Sequence, residues 1–211
     1  MRYEEVAGAL RAMGDMKTKD VDQYNKSLIR NKADVSDLRR HVLEDQLVHR
    51  TYFQVSLRQL KRAEEQFAFI EENAELLQDW WHVDQLLQFI RKPVDFSFAF
   101  QKAKQYVRSD MLFLRRWGYV LFLAGLQKDP QHTNEILSLI KNDDAYYVQM
   151  AEAWLIADLA VFNMADVAEF MEKTDIAYNI AGKAIQKMCD SFRISAEDKA
   201  YMRSLRSRWR Q

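Results

Sequence analysis

Apolar residues spaced i, i+3, i+4 and i+7 recur along nearly the whole chain, and among 211 residues only five glycines and two prolines are available to interrupt them. Such spacing lays one apolar stripe along one side of a helix. The shortage of helix breakers argues against the turn-rich sheets of all-β folds. The pattern predicts an all-α chain with helices over residues 2–13, 19–31, 34–48, 50–70, 73–91, 96–108, 110–127, 132–141, 144–162, 164–172, 175–190 and 195–209. Start signals support several of these: Ser109-Asp110 before the Met111 run, Asp143-Asp144 before the Tyr146 run, and Ser195 with Asp198 as a capping box. Pro93 and Pro130 are expected in turns. The helix-turn-helix alternation has no strict sequence period. It suggests stacked antiparallel pairs of the solenoid kind, which offer a concave face, with a compact bundle as the alternative architecture.

No linker-like segment divides residues 1–211, so one domain is expected. The start, MRYEEVAGAL, carries acids where a secretory leader needs an apolar run, and the longest apolar stretch, Tyr119 to Leu126, is too short to span a bilayer. A single cysteine, Cys189, cannot form an internal disulfide and reads as a small buried hydrophobe. A soluble, cytoplasmic protein without membrane contact is the expectation. His41, His49, His82 and His132 are scattered, and neither an HExxH spacing nor paired cysteines occur, so no metal is expected. No glycine loop suited to cradling phosphate is present either, and no other cofactor is expected. His82, between Trp81 and Val83, reads as a packing or surface histidine.

Formal charge sums to zero, yet it is unevenly distributed. Lys102, Lys104, Arg108, Arg115 and Arg116 cluster against one acid, Asp110, and the tail from Lys183 onward is rich in Lys and Arg. Residues 132–180 between them are mostly acidic. Opposite faces of oppositely signed charge would follow, unless these are ordinary solvated helix faces.

Three stretches place costly side chains on or beside apolar stripes. In Trp80-Trp81-His82-Val83-Asp84, the stripe is formed by Val83, Leu86, Leu87 and Ile90, while Trp80 and Asp84 share its flank. A carboxylate there is partly desolvated under an indole, although a structural acid would more cheaply face water. In Phe113 through Val120, the row Leu112, Arg116, Tyr119 and Leu123 is apolar apart from its guanidinium. In Asp143 through Leu155, the row Tyr147, Met150, Ala151 and Trp154 adds a second indole. Converging on one concave surface, these groups would make an aromatic-lined carboxylate site with an arginine beside it, suited to a cationic ligand. Each also has a plainer reading as core, cap or ion pair.

These residues resemble the bacterial DNA alkylation repair proteins built from HEAT-like helical repeats, the AlkD-like DNA glycosylases. The resemblance is best from about Trp80 to Ile194 and looser from Tyr24 to Arg40. Trp80 and Asp84 look like the family's tryptophan and aspartate spaced four apart, Arg116 like its arginine in an "rRw" helix, and Trp154 like its tryptophan after "yyVqkAiaW". Tyr24 looks like an early family tyrosine. Two departures stand out. Ala33 to Arg39 lacks the Gly and Pro of the family's "GvrtP..R" turn, and the stretch from Tyr24 to Trp80 is roughly one helix pair short.

The resemblance implies a HEAT-like repeat solenoid with a concave DNA-binding face, and base excision repair of alkylated purines. Its partner would be double-stranded DNA bearing alkylated bases, bound by a monomer. Asp84, Trp80, Trp154 and Arg116 would be catalytic. Arg116, Lys183, Lys187, Arg193, Tyr24 and, with less weight, Arg115 would contact DNA. The absence of helix-turn-helix and zinc-finger signatures points to recognition of a weakened duplex instead of a base sequence. A catalytically inactive helical-repeat module binding DNA or protein is the alternative.

Overall fold

The computed structural model describes residues 1–14 and 18–209, and among these it contains α-helices and 3-10 turns but no strand. The all-α expectation holds. No described helix is long and apolar enough to cross a membrane. Packing groups the chain into two compact units, Met1–Arg91 and Lys92–Gln211.

The first unit comprises α1 (Tyr3–Ala12), α2 (Thr18–Arg30), α3 (Gln46–Gln59), α4 (Ala63–Glu72), α5 (Trp80–Asp84) and α6 (Leu86–Phe89), with 3-10 turns at Ser36–His41 and Ala74–Leu76. Helix α3 packs against α1, α2, α6 and the first 3-10 turn, and is buried almost all round. Its apolar side chains Val48, Phe53, Val55 and Leu57 form the centre of this unit's core.

Segment boundaries here differ from the periodicity reading, and capping explains why. The helix expected over 34–48 is a six-residue 3-10 turn, and α3 begins only after Asp45, whose carboxylate accepts from the backbone N–H of Leu47 at 2.7 Å and Val48 at 3.4 Å. Satisfying two otherwise orphaned N–H groups fixes the start. The expected helix over 50–70 breaks where Leu60 turns extended, and α4 begins after Arg62. The one expected over 73–91 starts late as well: Asp79 is extended and accepts from Trp80 N at 2.6 Å, which opens α5.

The second unit comprises α7 (Phe96–Tyr106), α8 (Leu112–Val120), α9 (Thr133–Leu137), α10 (Tyr146–Ala160), α11 (Met164–Lys173), α12 (Tyr178–Asp190) and α13 (Ala196–Ser204). Helix α10 is central, lying against α8, α11 and α12, while α7 packs on α8, α9 on α11 and α13 on α12. Gly118 lets α8 approach α7 closely, since a Cβ there would stand 2.8 Å from Val107 Cγ1. The expected helix over 110–127 tightens after Val120 into the 3-10 turn Leu121–Ala124 and stops at Gly125, whose φ of 122° disfavours any side chain.

Two expected caps are displaced. Ser109 Oγ accepts from Met111 N at 3.1 Å and Asp143 Oδ1 from Ala145 N at 2.9 Å, so both act just ahead of their helices. At α13 the pairing is as expected, Ser195 Oγ accepting from Asp198 N at 3.0 Å and donating to Asp198 Oδ2 at 2.7 Å. Pro130 opens the 3-10 turn Pro130–His132 and Pro93 lies in a bend. Cys189 is half-buried, where the sequence suggested full burial, because it falls beside the buried row of α12 that carries Ile185 and Met188.

Candidate active site

In the first unit, Trp80 and Asp84 open and close α5, one turn apart. Trp80 is 47% exposed, and Asp84 is half-buried. The opposite side of this segment carries the apolar anchor: Val83, Leu86, Phe89 and Ile90 are buried, whereas Leu87 is only half-buried. The flank therefore presents an indole and a carboxylate while the stripe holds the backbone in place.

Beneath this segment lies a polar network that the periodicity did not reveal. His82 is buried and stacks on His49, with ring centroids 3.6 Å apart. Gln78 N donates to His82 Nδ1 at 3.0 Å. His49 Nε2 lies 3.2 Å from Leu76 O and would donate to it, leaving Nδ1 to accept from Gln85 Nε2 at 2.9 Å. Burial, and then the neighbouring His82, push the His49 imidazole down to about 3; burial likewise takes His82 down to about 4. Both rings are neutral near pH 7. His82 is thus a packing histidine, as its neighbours in sequence suggest.

Arg50 extends the network. Its Nε and Nη2 grip Asp22 at 2.9 and 3.1 Å, its Nη1 and Nη2 reach Gln85 and Gln88 at 3.3 and 3.2 Å, and its guanidinium lies 5.0 Å from the Phe89 ring centroid. One side chain thereby joins α2, α3 and α6. The available signal was the pair His49-Arg50 beside the apolar positions Val48, Phe53 and Val55 of α3, which is costly to bury unless both side chains are bonded. Tyr24, on α2, is half-buried, and burial raises its phenol above the ordinary value.

In the second unit, Arg116 is only 4% exposed, and its Nη1 donates to Tyr147 O at 2.6 Å. Its row contains Tyr119, fully buried, with Leu112 and Leu123 half-buried. Arg115 is held separately: Nε and Nη2 bond Asp143 at 2.8 and 3.4 Å, and Nη1 bonds Ser109 O at 3.1 Å. Three of its donors are therefore engaged within the chain, which suits a strut between α8 and the segment preceding α10.

Glu152 was missed from sequence because it belongs to a stretch that reads as solvated acids. It is fully buried on α10, where Oε1 accepts from Lys141 N at 2.7 Å and Oε2 from Asp143 N at 3.2 Å. Burial raises its carboxyl above the usual range, and burial together with that carboxylate raises the Tyr119 phenol. Tyr119 Oη donates to Leu139 O at 3.1 Å. The segment holding Asp143, and through it Arg115, is thus fastened from inside.

Trp154 is half-buried on α10 and lines a cavity of about 330 Å³ together with Ala157, Asp158, Lys187 and Arg193. The Lys187 ammonium lies 6.0 Å from the Trp154 ring centroid. Arg193 Nη2 bonds Asp158 Oδ1 at 2.6 Å while 44% of its side chain stays exposed. Three expected residues, Trp154, Lys187 and Arg193, are therefore brought together here. Lys183, one turn before Lys187 on α12, is exposed, with Nζ 3.4 Å from Gln186 Oε1, and does not line the cavity. The basic tail is partly engaged: Arg206 and Arg208 donate to Gly182 O and Met171 O at 3.3 Å each. Among the described residues, no cluster of three or more His, Cys, Asp or Glu could hold a metal ion.

A family model described as DNA alkylation repair enzyme matches residues 16–188. The span includes Tyr24, Trp80, Asp84, Arg115, Arg116, Trp154, Lys183 and Lys187, and ends before Arg193. Searches of curated proteins and of solved structures found no match.

Proposed function

The chain belongs to the DNA alkylation repair enzyme family, and from that premise we propose that it is a DNA glycosylase excising cationic N3- and N7-alkylated purines from duplex DNA. The family match over residues 16–188 carries this reading. Helix order in the second unit, with α10 lying between its neighbours, is compatible with HEAT-like repeats.

The chemistry suits the residues. An N3- or N7-alkylated purine is already cationic and leaves without a general acid, so positive charge moves onto the deoxyribose as the glycosidic bond breaks. Asp84 stabilises that developing cation and orients the attacking water, as carboxylates do in glycoside cleavage. At about 4 Å and an effective dielectric near 20, unit charges attract by roughly 4 kcal/mol, which corresponds to about three decades in rate. The Trp80 indole, on the same helix as Asp84, adds about 0.5–2 kcal/mol through cation–π contact with the lesion. Asp84 dominates on these magnitudes.

Arg116 is 4% exposed and donates to Tyr147 O, so its burial leaves little of the guanidinium for a phosphate. Lys183, Lys187 and Arg193 hold backbone phosphates, giving sequence-independent, salt-sensitive binding. The test is release of 7-methylguanine or 3-methyladenine from methylated duplex DNA. The wild type releases base; Asp84→Asn keeps DNA affinity and loses release. Unchanged release by the variant would remove Asp84 from the chemistry, and a wild type that binds DNA but releases nothing would make the chain a binding module.

A further inference from the structure

Helix α7 and the segment around the end of α9 enclose a second cavity, of about 360 Å³, that shares no lining residue with the Trp154 cavity. Its apolar lining is Phe100 together with the buried Val107 and Leu139. Lys104, Arg108 and Lys141 stand exposed around it, against one acid, Glu135. Among the described residues none of these three cations is paired with a carboxylate. Glu135 is turned to His132 instead, whose Nδ1 lies 3.1 Å from its Oε2.

Both walls are held in place. Phe96 and Phe100 stack on α7 with ring centroids 5.6 Å apart, and His132 stacks on Phe96 at 3.5 Å, so the Phe100 ring ends a short aromatic ladder. One turn further on, the Lys104 ammonium lies 5.7 Å from the Phe100 centroid, a contact that leaves its N–H donors for a ligand. On the other wall, Leu139 O accepts from Tyr119 Oη at 3.1 Å and Lys141 N donates to Glu152 Oε1 at 2.7 Å. The root of the Lys141 side chain is thereby anchored on the interior of α8 and α10. Lys104 lies in the last turn of α7, where a cation also offsets the helix's negative end; Lys141 lies past the end of α9, outside the reach of that effect.

Charge and shape together select the ligand. Three cations against one acid leave the lining with a net charge of +2. A carboxylate or an internal DNA phosphate brings a single negative charge, whereas a phosphate monoester brings about −1.5 to −2 at pH 7 and three strong acceptor oxygens. Inorganic phosphate would match the charge but leave Phe100, Val107 and Leu139 uncovered. We propose that this cavity takes a phosphate monoester carried on a flat apolar body: a nucleoside monophosphate, either free or as the 5′-phosphorylated end of a DNA strand. None of its residues is assigned to base excision above, so the site stands or falls separately from that reading.

The test is titration calorimetry on the full chain at low salt, with dAMP, deoxyadenosine and inorganic phosphate as probes, and a parallel comparison of nicked duplexes bearing a 5′-phosphate or a 5′-hydroxyl at the nick. A free-nucleotide site binds dAMP roughly tenfold more tightly than either fragment; a strand-end site shows the same preference for the 5′-phosphorylated nick. Lys104→Gln and Lys141→Gln should each cut that preference roughly tenfold, Phe100→Leu should weaken dAMP and spare inorganic phosphate, and Lys187→Gln, in the other cavity, should leave the preference as it is. No preference for the phosphorylated probe in either arm, or a preference that survives both Lys104→Gln and Lys141→Gln, would overturn the site. Equal binding of dAMP and inorganic phosphate would overturn the monoester assignment, since the apolar lining would then contribute nothing.

Discussion

The imidazoles of His49 and His82 stack nearly parallel, 3.6 Å apart with an interplanar angle of 11°. Two rings at that distance cannot both carry charge without strong repulsion, and burial already pushes them to about 3 and about 4. An unfolded chain would titrate them near the ordinary value of 6.5. Their contribution is complete above pH 6.5. As pH falls below that value the unfolded state takes up protons that the folded state refuses, and stability declines until the folded values are reached. Urea denaturation at pH 7, 6 and 5 should show a loss of about 1 kcal/mol per pH unit for each ring. His82→Gln should flatten the slope, and an unchanged slope would show that other groups set it.

Glu152→Gln tests the buried clasp on α10. Both carboxylate oxygens accept a backbone N–H, so an amide must turn its own donor toward one of them. The expected loss is about 1–3 kcal/mol in urea unfolding, accompanied by faster amide exchange at Lys141 and Asp143.

Gly118→Ala should destabilise by about 1–3 kcal/mol, because the added methyl meets both Val107 Cγ1 and the Val107 backbone N. Pairing it with Val107→Ala removes the closer contact and should recover part of the loss. Additive losses in the double variant would show that the crowding lies elsewhere.

Lys187→Ala and Arg115→Ala separate phosphate contact from scaffolding. Removing Lys187 should lower DNA affinity and reduce the slope of log K against log salt by about one, with stability nearly unchanged. Removing Arg115 should reduce stability, since Asp143 loses its partner, while the salt slope stays put. The reverse pattern would exchange the two roles.

The helical class was legible because periodicity and the lack of breakers act locally. Boundaries failed where local backbone and caps overrule the periodicity: the apolar spacing runs on through Leu57, Leu60 and Phe67, yet the backbone turns extended at Leu60; Asp45 starts α3 ahead of the expected 50–70 span, and Asp79 starts α5 later than the expected 73–91 span. Trp80, Asp84, Arg116 and Trp154 stood out as side chains too costly for their positions. Their supports did not. His49, Arg50 and Gln85 meet only after distant segments fold together, and Glu152 looks solvated until α10 is seen surrounded by α8, α11 and α12.

Helix α5 is five residues long, well under the ten or more that a lone helix needs to persist in water. Its shape is borrowed from α3, whose His49 stacks on His82 and receives Gln85, and whose Arg50 bonds the residues just beyond. The position of Asp84 is therefore set from outside its own helix, and a change that loosens His49, Arg50 or Gln85 reaches the acid without touching it.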